Sequence, residues 1–276
     1  MMQVAVVTDS ASELDPAKHA SQSIAVVSLS GDEGELDVAC VGPGAGGVAT
    51  LAPTRVDQIT QRLVATYERL AESHDGILSI HSSHYLVPAY DAARAAREQL
   101  RGLLPIEVVD SGLASIALGF VVRRVARAAR AGASLAELEF LARQARSNVH
   151  AMFFAESVDY LNREAHWRRT RAWPISGNGT RPLLTVEDGE VRPLERVRTR
   201  ARGYDRLAEF VELFPHIEQM AILHDAPAGD FELFMRRIDP IYPREMISIG
   251  HYGPTLREQL GPRAIAVFVD QGIGYD

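Results

Sequence analysis

The amino-acid sequence predicts an α/β protein with two domains. The N-terminal domain has a parallel sheet covered by helices on both faces, and the second α/β domain has a mixed sheet. In the first 150 residues, short apolar strands alternate with amphipathic helices over short connections, which is typical of a parallel sheet. Later, two strand-like runs flank Glu187-Asp188-Gly189, a hairpin turn that requires antiparallel neighbours. We therefore divide the chain into residues 1–150 and 151–276.

The first strand is predicted at Val4-Ala5-Val6-Val7, where four apolar residues run into small polar ones. A helix follows from about 55 to 70, because apolar residues recur at the helical period and Thr54 precedes them as a candidate cap. Further strands are predicted at 24–29, 77–80 and 106–109. Further helices are predicted at 90–101 and 113–131, and from a cap at Ser134 to about 149.

Three of these strands end in hydroxyl and acidic residues: Thr8-Asp9-Ser10, Ser82-Ser83 and Asp110-Ser111. Such residues commonly cap helices. However, parallel strands end at one edge of a sheet, and ligands of open α/β sheets bind outside that edge. The three clusters therefore predict a shared polar site, with Asp9 and Ser10 as its supporting rim.

The second half is predicted to contain strands at 152–155, 182–186, 190–193, 220–223, 246–249 and 264–269. Helices are predicted at 203–214 and 231–238, where apolar residues recur on one face. The mixture of a hairpin with strand–helix alternation predicts a mixed sheet.

The composition excludes several classes of protein. The net charge of −7 argues against general nucleic-acid binding, and no apolar run has the roughly 18 residues of a membrane span. A single cysteine, Cys40, excludes an internal disulfide framework. With no recognisable secretory signal, the sequence predicts a cytoplasmic protein. The segment 163–206 nevertheless holds 11 arginines and 6 acids, which is a candidate surface for an anionic partner.

No motif of cofactor, metal or nucleophilic chemistry is found. The glycines between Gly42 and Gly47 lead to Pro53 rather than into a helix directly, so we interpret them as a loop and not as a nucleotide site. His81 and His84 lack a third ligand of suitable spacing, so a solvent-facing or hydrogen-bonded pair is favoured over zinc. The G-x-S-x-G signal of serine hydrolases is missing. The sequence therefore predicts no cofactor and no enzymatic turnover.

Six short motifs occur in a fixed order along the chain: Val7-Thr8-Asp9-Ser10 with Leu14, Thr50-Leu51-Ala52-Pro53, Val109-Asp110-Ser111 with Gly119, Tyr160-Leu161, Asp188-Gly189 with Val197-Arg198-Thr199, and Gly250-His251-Tyr252-Gly253-Pro254. Together they resemble the DegV family, bacterial two-domain α/β proteins that bind a fatty acid between their domains. The resemblance covers essentially the whole chain.

The resemblance implies a carrier that holds a long-chain fatty acid or similar amphiphile while a separate fatty acid kinase subunit phosphorylates the carboxylate. By position, it implies that the carboxylate is bound by Thr50, Arg198 and His251, together with the strand-end hydroxyls of Ser82 and Ser83. Two motifs depart from the family. Its Leu-Ser-Gly-Thr-Tyr is Leu86-Val87-Pro88-Ala89-Tyr90 here, and its Gly-Gly-Arg loop is replaced by Glu164-Ala165-His166-Trp167.

Two other functions stay open at this point. One is an enzyme that acts on a small anionic metabolite in the inter-domain cleft, with Asp9, Ser83 or His251 as its polar groups. The other is a docking module that works through the arginine-rich segment 163–206 and includes Arg168 and Arg169.

Overall fold

The computed structural model describes residues 3–14, 23–29, 53–157, 179–251 and 260–272. The chain divides into two compact units, Met1–Ser147 and Asn148–Asp276. Each unit has its own sheet, so the predicted class of two α/β domains is confirmed. The predicted ligand pocket between the domains stays a prediction.

The sheet of the first unit has four parallel strands in the order β2-β1-β3-β4. Its strands are β1 (Val4–Asp9), β2 (Ile24–Val27), β3 (Gly76–His81) and β4 (Ile106–Asp110). Every residue of β1 and β3 is buried, which explains why their sequences are apolar runs rather than alternating ones. A short 3-10 helix, Ser10–Ser12, follows β1 directly.

Four helices of the first unit are described: α1 (Pro53–Ala71), α2 (Ala89–Gln99), α3 (Ile116–Arg130) and α4 (Leu135–Ala145). Ile59, Leu63 and Tyr67 of α1 are buried, as the apolar stripe predicted. Helix α1 already begins at Pro53, so the prediction of Thr54 as its cap is wrong. Proline suits a first turn because its φ is preset and its missing N–H would be unpaired there anyway.

The sheet of the second unit has six strands in the order β7-β6-β5-β10-β8-β9. They are β5 (Val149–Phe154), β6 (Arg181–Glu187), β7 (Glu190–Val197), β8 (Gln219–His224), β9 (Ile247–His251) and β10 (Ile265–Asp270). All neighbours are antiparallel except β8 and β9, so the sheet is mixed as predicted. Two helices, α5 (Arg200–Glu212) and α6 (Ala228–Ile238), contribute buried side chains to its core.

The hairpin between β6 and β7 has the predicted turn. Asp188 and Gly189 have φ values of 52° and 82°, and positive φ at both central residues is the requirement of a type I′ turn. Among the described residues, no helix is both long and apolar enough to cross a membrane.

In each sheet, the carboxyl ends of several strands lie at the same edge. In the first unit the carboxyl ends of β1, β3 and β4 lie at one edge of the sheet. In the second unit β5, β7, β8 and β9 run in the same direction, so their carboxyl ends also lie at one edge. These two edges carry most of the polar residues discussed next.

Candidate functional site

Asp9, at the end of β1, is the centre of a buried hydrogen-bond network. Its Oδ1 accepts hydrogen bonds from the N–H of Ala11 (3.1 Å) and the hydroxyl of Ser82 (2.8 Å). Its Oδ2 accepts from the N–H of Ser82 (2.9 Å) and from Nδ1 of His81 (3.1 Å). These four bonds satisfy a carboxylate that is 1% exposed and would otherwise be costly to bury. Asp9 therefore supports the strand ends, as predicted.

The network continues from Asp9 through three further side chains. Because the Asp9 carboxylate can only accept, Nδ1 of His81 donates, and its Nε2 is left to accept from the hydroxyl of Ser79 at 2.7 Å. Tyr67 in turn donates to Ser79 (2.7 Å), and burial raises the pKa of Tyr67 well above its ordinary value. The order acid–histidine–serine resembles a catalytic triad. However, Ser79 and His81 are fully buried, so a substrate cannot reach the hydroxyl.

The structure does not place Ser82 and Ser83 as free hydroxyls at the sheet edge. Both residues are fully buried. The single hydroxyl proton of Ser82 is donated to Asp9, so it is not available to a ligand carboxylate. Ser83 binds the adjacent loops, since its N–H donates to the carbonyl of Leu113 (2.7 Å) and its Oγ accepts from the N–H of Tyr85 (3.3 Å).

A second histidine–carboxylate pair lies at the same edge and is open to solvent. Nδ1 of His84 donates to Oδ2 of Asp110 at 2.6 Å, and Oδ1 of Asp110 accepts from the N–H of Gly112 at 2.9 Å. The side chains of His84 and Asp110 are 35% and 19% exposed. The ring of Tyr85 lies against that of His84, with centroids 3.8 Å apart. The two histidines of this region are thus hydrogen-bonded, as predicted, but to different acids.

In the second unit, four charged residues form a network at the strand-end edge. Glu156, just after β5, accepts from Arg181 and Arg200, and Arg200 also reaches Asp230 at 3.3 Å. Burial acts to raise the pKa of Glu156, but hydrogen bonds from Arg200 and Arg181 outweigh it and hold that pKa below its ordinary value. The charges of this network cancel, so it braces the start of α5 rather than attracting an anion.

Arg198 follows β7 and is exposed. Its carbonyl accepts from Arg181 (2.9 Å), but among the described residues its guanidinium has no acidic partner. Five neighbouring arginines do pair with acids, namely Arg181, Arg192, Arg200, Arg202 and Arg206. Arg198 therefore keeps its charge available for an anion.

His251 ends β9, directly opposite His224 of β8. Its Nδ1 donates to the main-chain carbonyl of His224 at 3.1 Å, which fixes the orientation of the ring. The His224 ring is stacked on Phe231, with centroids 3.7 Å apart and planes 9° apart. Burial, and then the neighbouring His251, lower the pKa of His224, so its protonated form is disfavoured in the folded protein.

The structure does not bring Arg198 and His251 together. They lie at the same edge of the sheet, but β7 and β9 are its two outermost strands. Five strand spacings of about 4.8 Å separate these strands by roughly 24 Å, far more than the width of a carboxylate. The fifth predicted residue, Thr50, lies outside the described residues, as do the motifs at 160–161 and 164–167. In the parts of the chain that the structure describes, no group of three metal-ligating side chains occurs.

Sequence reasoning missed His84 and Asp110 as a pair. The available signal was that two adjacent strands, β3 and β4, both end in polar residues. What the sequence does not contain is the register that aligns His81 with Asp110 and so brings His84 within reach.

Comparison with known proteins places these features in a family. A family model described as "Uncharacterised protein, DegV family" matches residues 51–271. A DegV domain-containing protein of Streptomyces coelicolor is 37% identical over 145 residues, which are 52% of this chain and 51% of that protein. A DegV domain-containing protein of Mycobacterium tuberculosis is 30% identical over 217 residues, 76% of each chain.

Solved structures of the same family share the fold over nearly the whole chain. A DegV family protein of Corynebacterium glutamicum has a TM-score of 0.77 at 21% identity and covers 99% of both chains. DegV of Bacillus subtilis, described as a fatty acid binding protein, has a TM-score of 0.74 at 20% identity over 98% of this chain and 100% of that chain. A DegV family protein of Eubacterium eligens, loaded with heptadecanoic acid, has a TM-score of 0.71 at 12% identity and covers 98% of this chain and 100% of that chain. Given the family match over most of its length, the chain belongs to the DegV family.

Proposed function

We propose that this chain binds a long-chain fatty acid or a similar amphiphile and carries it without chemical turnover of its own. The observation that carries the proposal is its family membership, together with a fold shared over nearly the full chain with proteins described as binding fatty acids. Arg198 and His251 are the carboxylate-binding groups that we propose; among the described residues the guanidinium of Arg198 has no acidic partner, and Nδ1 of His251 is bonded to a main-chain carbonyl.

The energetics of such a complex are reasonable. A saturated tail of about 15 methylenes gains roughly 12 kcal/mol on burial, before the costs of association are subtracted. The carboxylate contributes little by itself, but it must find donors or a cation because an unpaired charge near an apolar tail is expensive. Arg198 and His251 lie too far apart to share one carboxylate, so we propose that only one of them contacts it.

The test is the ligand that the protein retains. Protein purified under native conditions is denatured and extracted, and the extract is analysed by mass spectrometry. We expect acyl chains in near-stoichiometric amount. An extract with only water-soluble ligands, from protein that also fails to bind added heptadecanoic acid, would contradict the proposal.

We further propose a separate kinase subunit as the partner of the loaded protein. The support for it is the family resemblance. Loaded protein, ATP and a kinase subunit from the same cell should form an acyl phosphate, which hydroxylamine traps as an acyl hydroxamate. If the hydroxamate forms equally well with free fatty acid and no carrier, the presenting role is wrong.

The enzyme alternative is less well supported. Of the groups it would use, Asp9 is saturated with hydrogen bonds and Ser83 is fully buried. The triad-like Ser79 is equally inaccessible. We keep the cytoplasm as the proposed location.

A further inference from the structure

The ligand-binding position of the first sheet is already occupied by the protein's own side chains. In the order β2-β1-β3-β4 the strand order reverses between β1 and β3, because β2 is added on one side of β1 and β3 and β4 on the other, and ligands of open α/β sheets bind at that switch point. Here the carboxylate of Asp9 fills it, bonded to Ser82 and His81. A headgroup that approaches this edge must therefore be recognised one strand further along, at β3 and β4.

His84 is the polar group presented there. Its Nδ1 is held by Asp110, so the proton on that nitrogen is committed and Nε2 is the atom left to meet a ligand. Asp110 is fixed from the other side by the N–H of Gly112, a glycine with a φ of 64°. A histidine held by a carboxylate that is itself hydrogen-bonded is the arrangement that orients ring nitrogens in metal and catalytic sites.

We propose that His84, oriented by Asp110, binds the anionic headgroup of the ligand through Nε2. This inference rests on the proposed function, because it names a group that recognises the headgroup of the proposed ligand. A carboxylate can only accept, so the His84 ring that binds the headgroup must carry a proton on Nε2 as well as the one that Nδ1 donates to Asp110.

The surroundings of His84 suit this role. Asp110 is the only acid that contacts it in the described structure, and the negative charge of Asp110 balances an imidazolium. Its other neighbours are the rings of Tyr85 at 3.8 Å and Tyr90 at 6.3 Å, and the guanidinium of Arg94 lies 5.8 Å above Tyr90. The two aromatic rings offer apolar surface beside His84, on which the first methylenes of an acyl tail can pack.

The experiment compares heptadecanoic acid with heptadecan-1-ol, two ligands with the same tail and different headgroups. Dissociation constants are measured by displacement of a fluorescent acyl probe from the full-length protein. The variants are His84→Gln, Asp110→Asn and, as a matched control, His216→Gln, which replaces an exposed histidine of the second unit. Asparagine at 110 keeps the oxygen that accepts from Gly112.

We expect His84→Gln to raise the dissociation constant of heptadecanoic acid by about 10- to 100-fold, the range of one charged hydrogen bond. The dissociation constant of the alcohol should stay within about twofold of its wild-type value. Asp110→Asn should raise the dissociation constant of the acid by a smaller factor. His216→Gln should change the dissociation constant of neither ligand. In the wild-type protein, the ring ¹⁵N shifts of His84 should become those of a doubly protonated imidazole on binding the acid but not the alcohol.

The outcomes separate the two proposals. If wild-type protein binds neither ligand, the proposed function is wrong and this inference fails with it. If wild-type protein binds the acid and His84→Gln binds it equally well, only the inference is overturned. Equal weakening of acid and alcohol by His84→Gln also overturns it, since that pattern reflects a damaged fold rather than a lost headgroup contact.

Discussion

Asp9 shows how this fold uses a buried acid. Four donors from three residues converge on one carboxylate at the end of β1, and three of these donors belong to His81 and Ser82, more than 70 positions away. Removing the carboxylate leaves those donors without partners in a region that water does not reach. Such a loss is among the few single changes expected to cost several kcal/mol.

We therefore predict that Asp9→Ala lowers the free energy of unfolding by about 3 kcal/mol or more, measured by urea denaturation. The acyl chains extracted from the variant should match those of the wild-type protein. Asp75→Ala is the control, because Asp75 accepts a bond from the N–H of Gln3 at an exposed position. An Asp9→Ala protein that is as stable as wild type yet empty of lipid would show that Asp9 contacts the ligand instead.

Glu13 provides a second prediction at this scale, through pH. Burial raises the pKa of Glu13 to about 7, against an ordinary value of 4.5, and the nearby side chain of Ser115 opposes the shift. The folded protein thus holds this proton more tightly than the unfolded chain does. Stability from Glu13 is complete below pH 4.5 and is lost as the pH rises to about 7. At 1.36 kcal/mol per pKa unit the loss is at most about 3 kcal/mol, and partial exposure to water reduces it.

The variant Glu13→Gln removes this titration while keeping the shape of the side chain. Its stability relative to wild type should increase between pH 5 and 7 and level off above, in urea denaturation series at fixed ionic strength. Glu68→Gln, at an exposed position of α1, should follow the wild-type curve at every pH. A constant difference between Glu13→Gln and wild type across this range would contradict the assignment.

At the scale of elements, α5 can lie close to the second sheet because it carries a glycine. A Cβ at Gly203 would lie 2.3 Å from the ring of Phe154 on β5, a distance that forces the ring or the helix to move. Alanine is the better helix former by about 1 kcal/mol, so the two effects oppose each other. The contact is to a fully buried ring, and overpacking a core typically costs about 1–3 kcal/mol, so the clash should dominate.

Gly203→Ala should accordingly lower the unfolding free energy by about 1–2 kcal/mol, measured by thermal or urea denaturation. Gly229→Ala in α6 is the matched control, since a Cβ there meets no atom within 4 Å. That variant should be neutral or more stable by up to about 1 kcal/mol. If both variants are stabilised, α5 does not pack on Phe154 as closely as described.

The features that the sequence predicted well at this scale are local ones. The turn at Asp188 and Gly189 follows from the φ values that those residue types tolerate, and the cap of α4 follows from Ser134 and Glu137 three residues apart. The apolar stripe of α1 is equally local. By contrast, the partners of Asp9 depend on strand pairing across 73 residues, for which a single sequence carries no comparable signal.

The same limit explains the candidate site. The polar strand ends were visible in the sequence, and their convergence at one edge follows from parallel pairing. The sequence does not show which of these polar side chains remain exposed, because that depends on the donors and acceptors of neighbouring strands. Ser82 donates its hydroxyl proton to the buried Asp9, whereas His84 is partly exposed to solvent. The order of the second sheet is likewise non-local, so the motif positions of Arg198 and His251 gave no hint of their separation.

At the scale of the whole molecule, each of the two sheets has one polar edge, and the two edges carry different kinds of charged and polar groups. In the first unit, Asp9 and Asp110 each accept a hydrogen bond from Nδ1 of a histidine, and of the two rings only that of His84 is partly exposed. In the second, a balanced network separates Arg198 from His251.

This separation leads to a prediction about coupling. If Arg198 and His251 act on different groups, their effects on acyl binding are independent, and the free-energy changes of Arg198→Ala and His251→Ala add in the double variant within about 0.5 kcal/mol. The coupling free energy is obtained from four dissociation constants for heptadecanoic acid, those of the wild type, the two single variants and the double variant, measured by calorimetry. Residues that hold one carboxylate together would instead show a coupling of about 1 kcal/mol or more, because the second loss costs little once the first has occurred.

A contact pair within the same unit calibrates the cycle. Arg206 and Glu195 are 2.6 Å apart, so their alanine variants should be coupled in the free energy of unfolding even though the pair is partly exposed. Detecting that coupling shows that alanine cycles in this unit report a direct contact in the free energy of unfolding. Additivity for Arg198 and His251 under the same conditions then reflects the roughly 24 Å between β7 and β9. Strong coupling between them would mean that ligand binding draws the two ends of this sheet edge onto one headgroup.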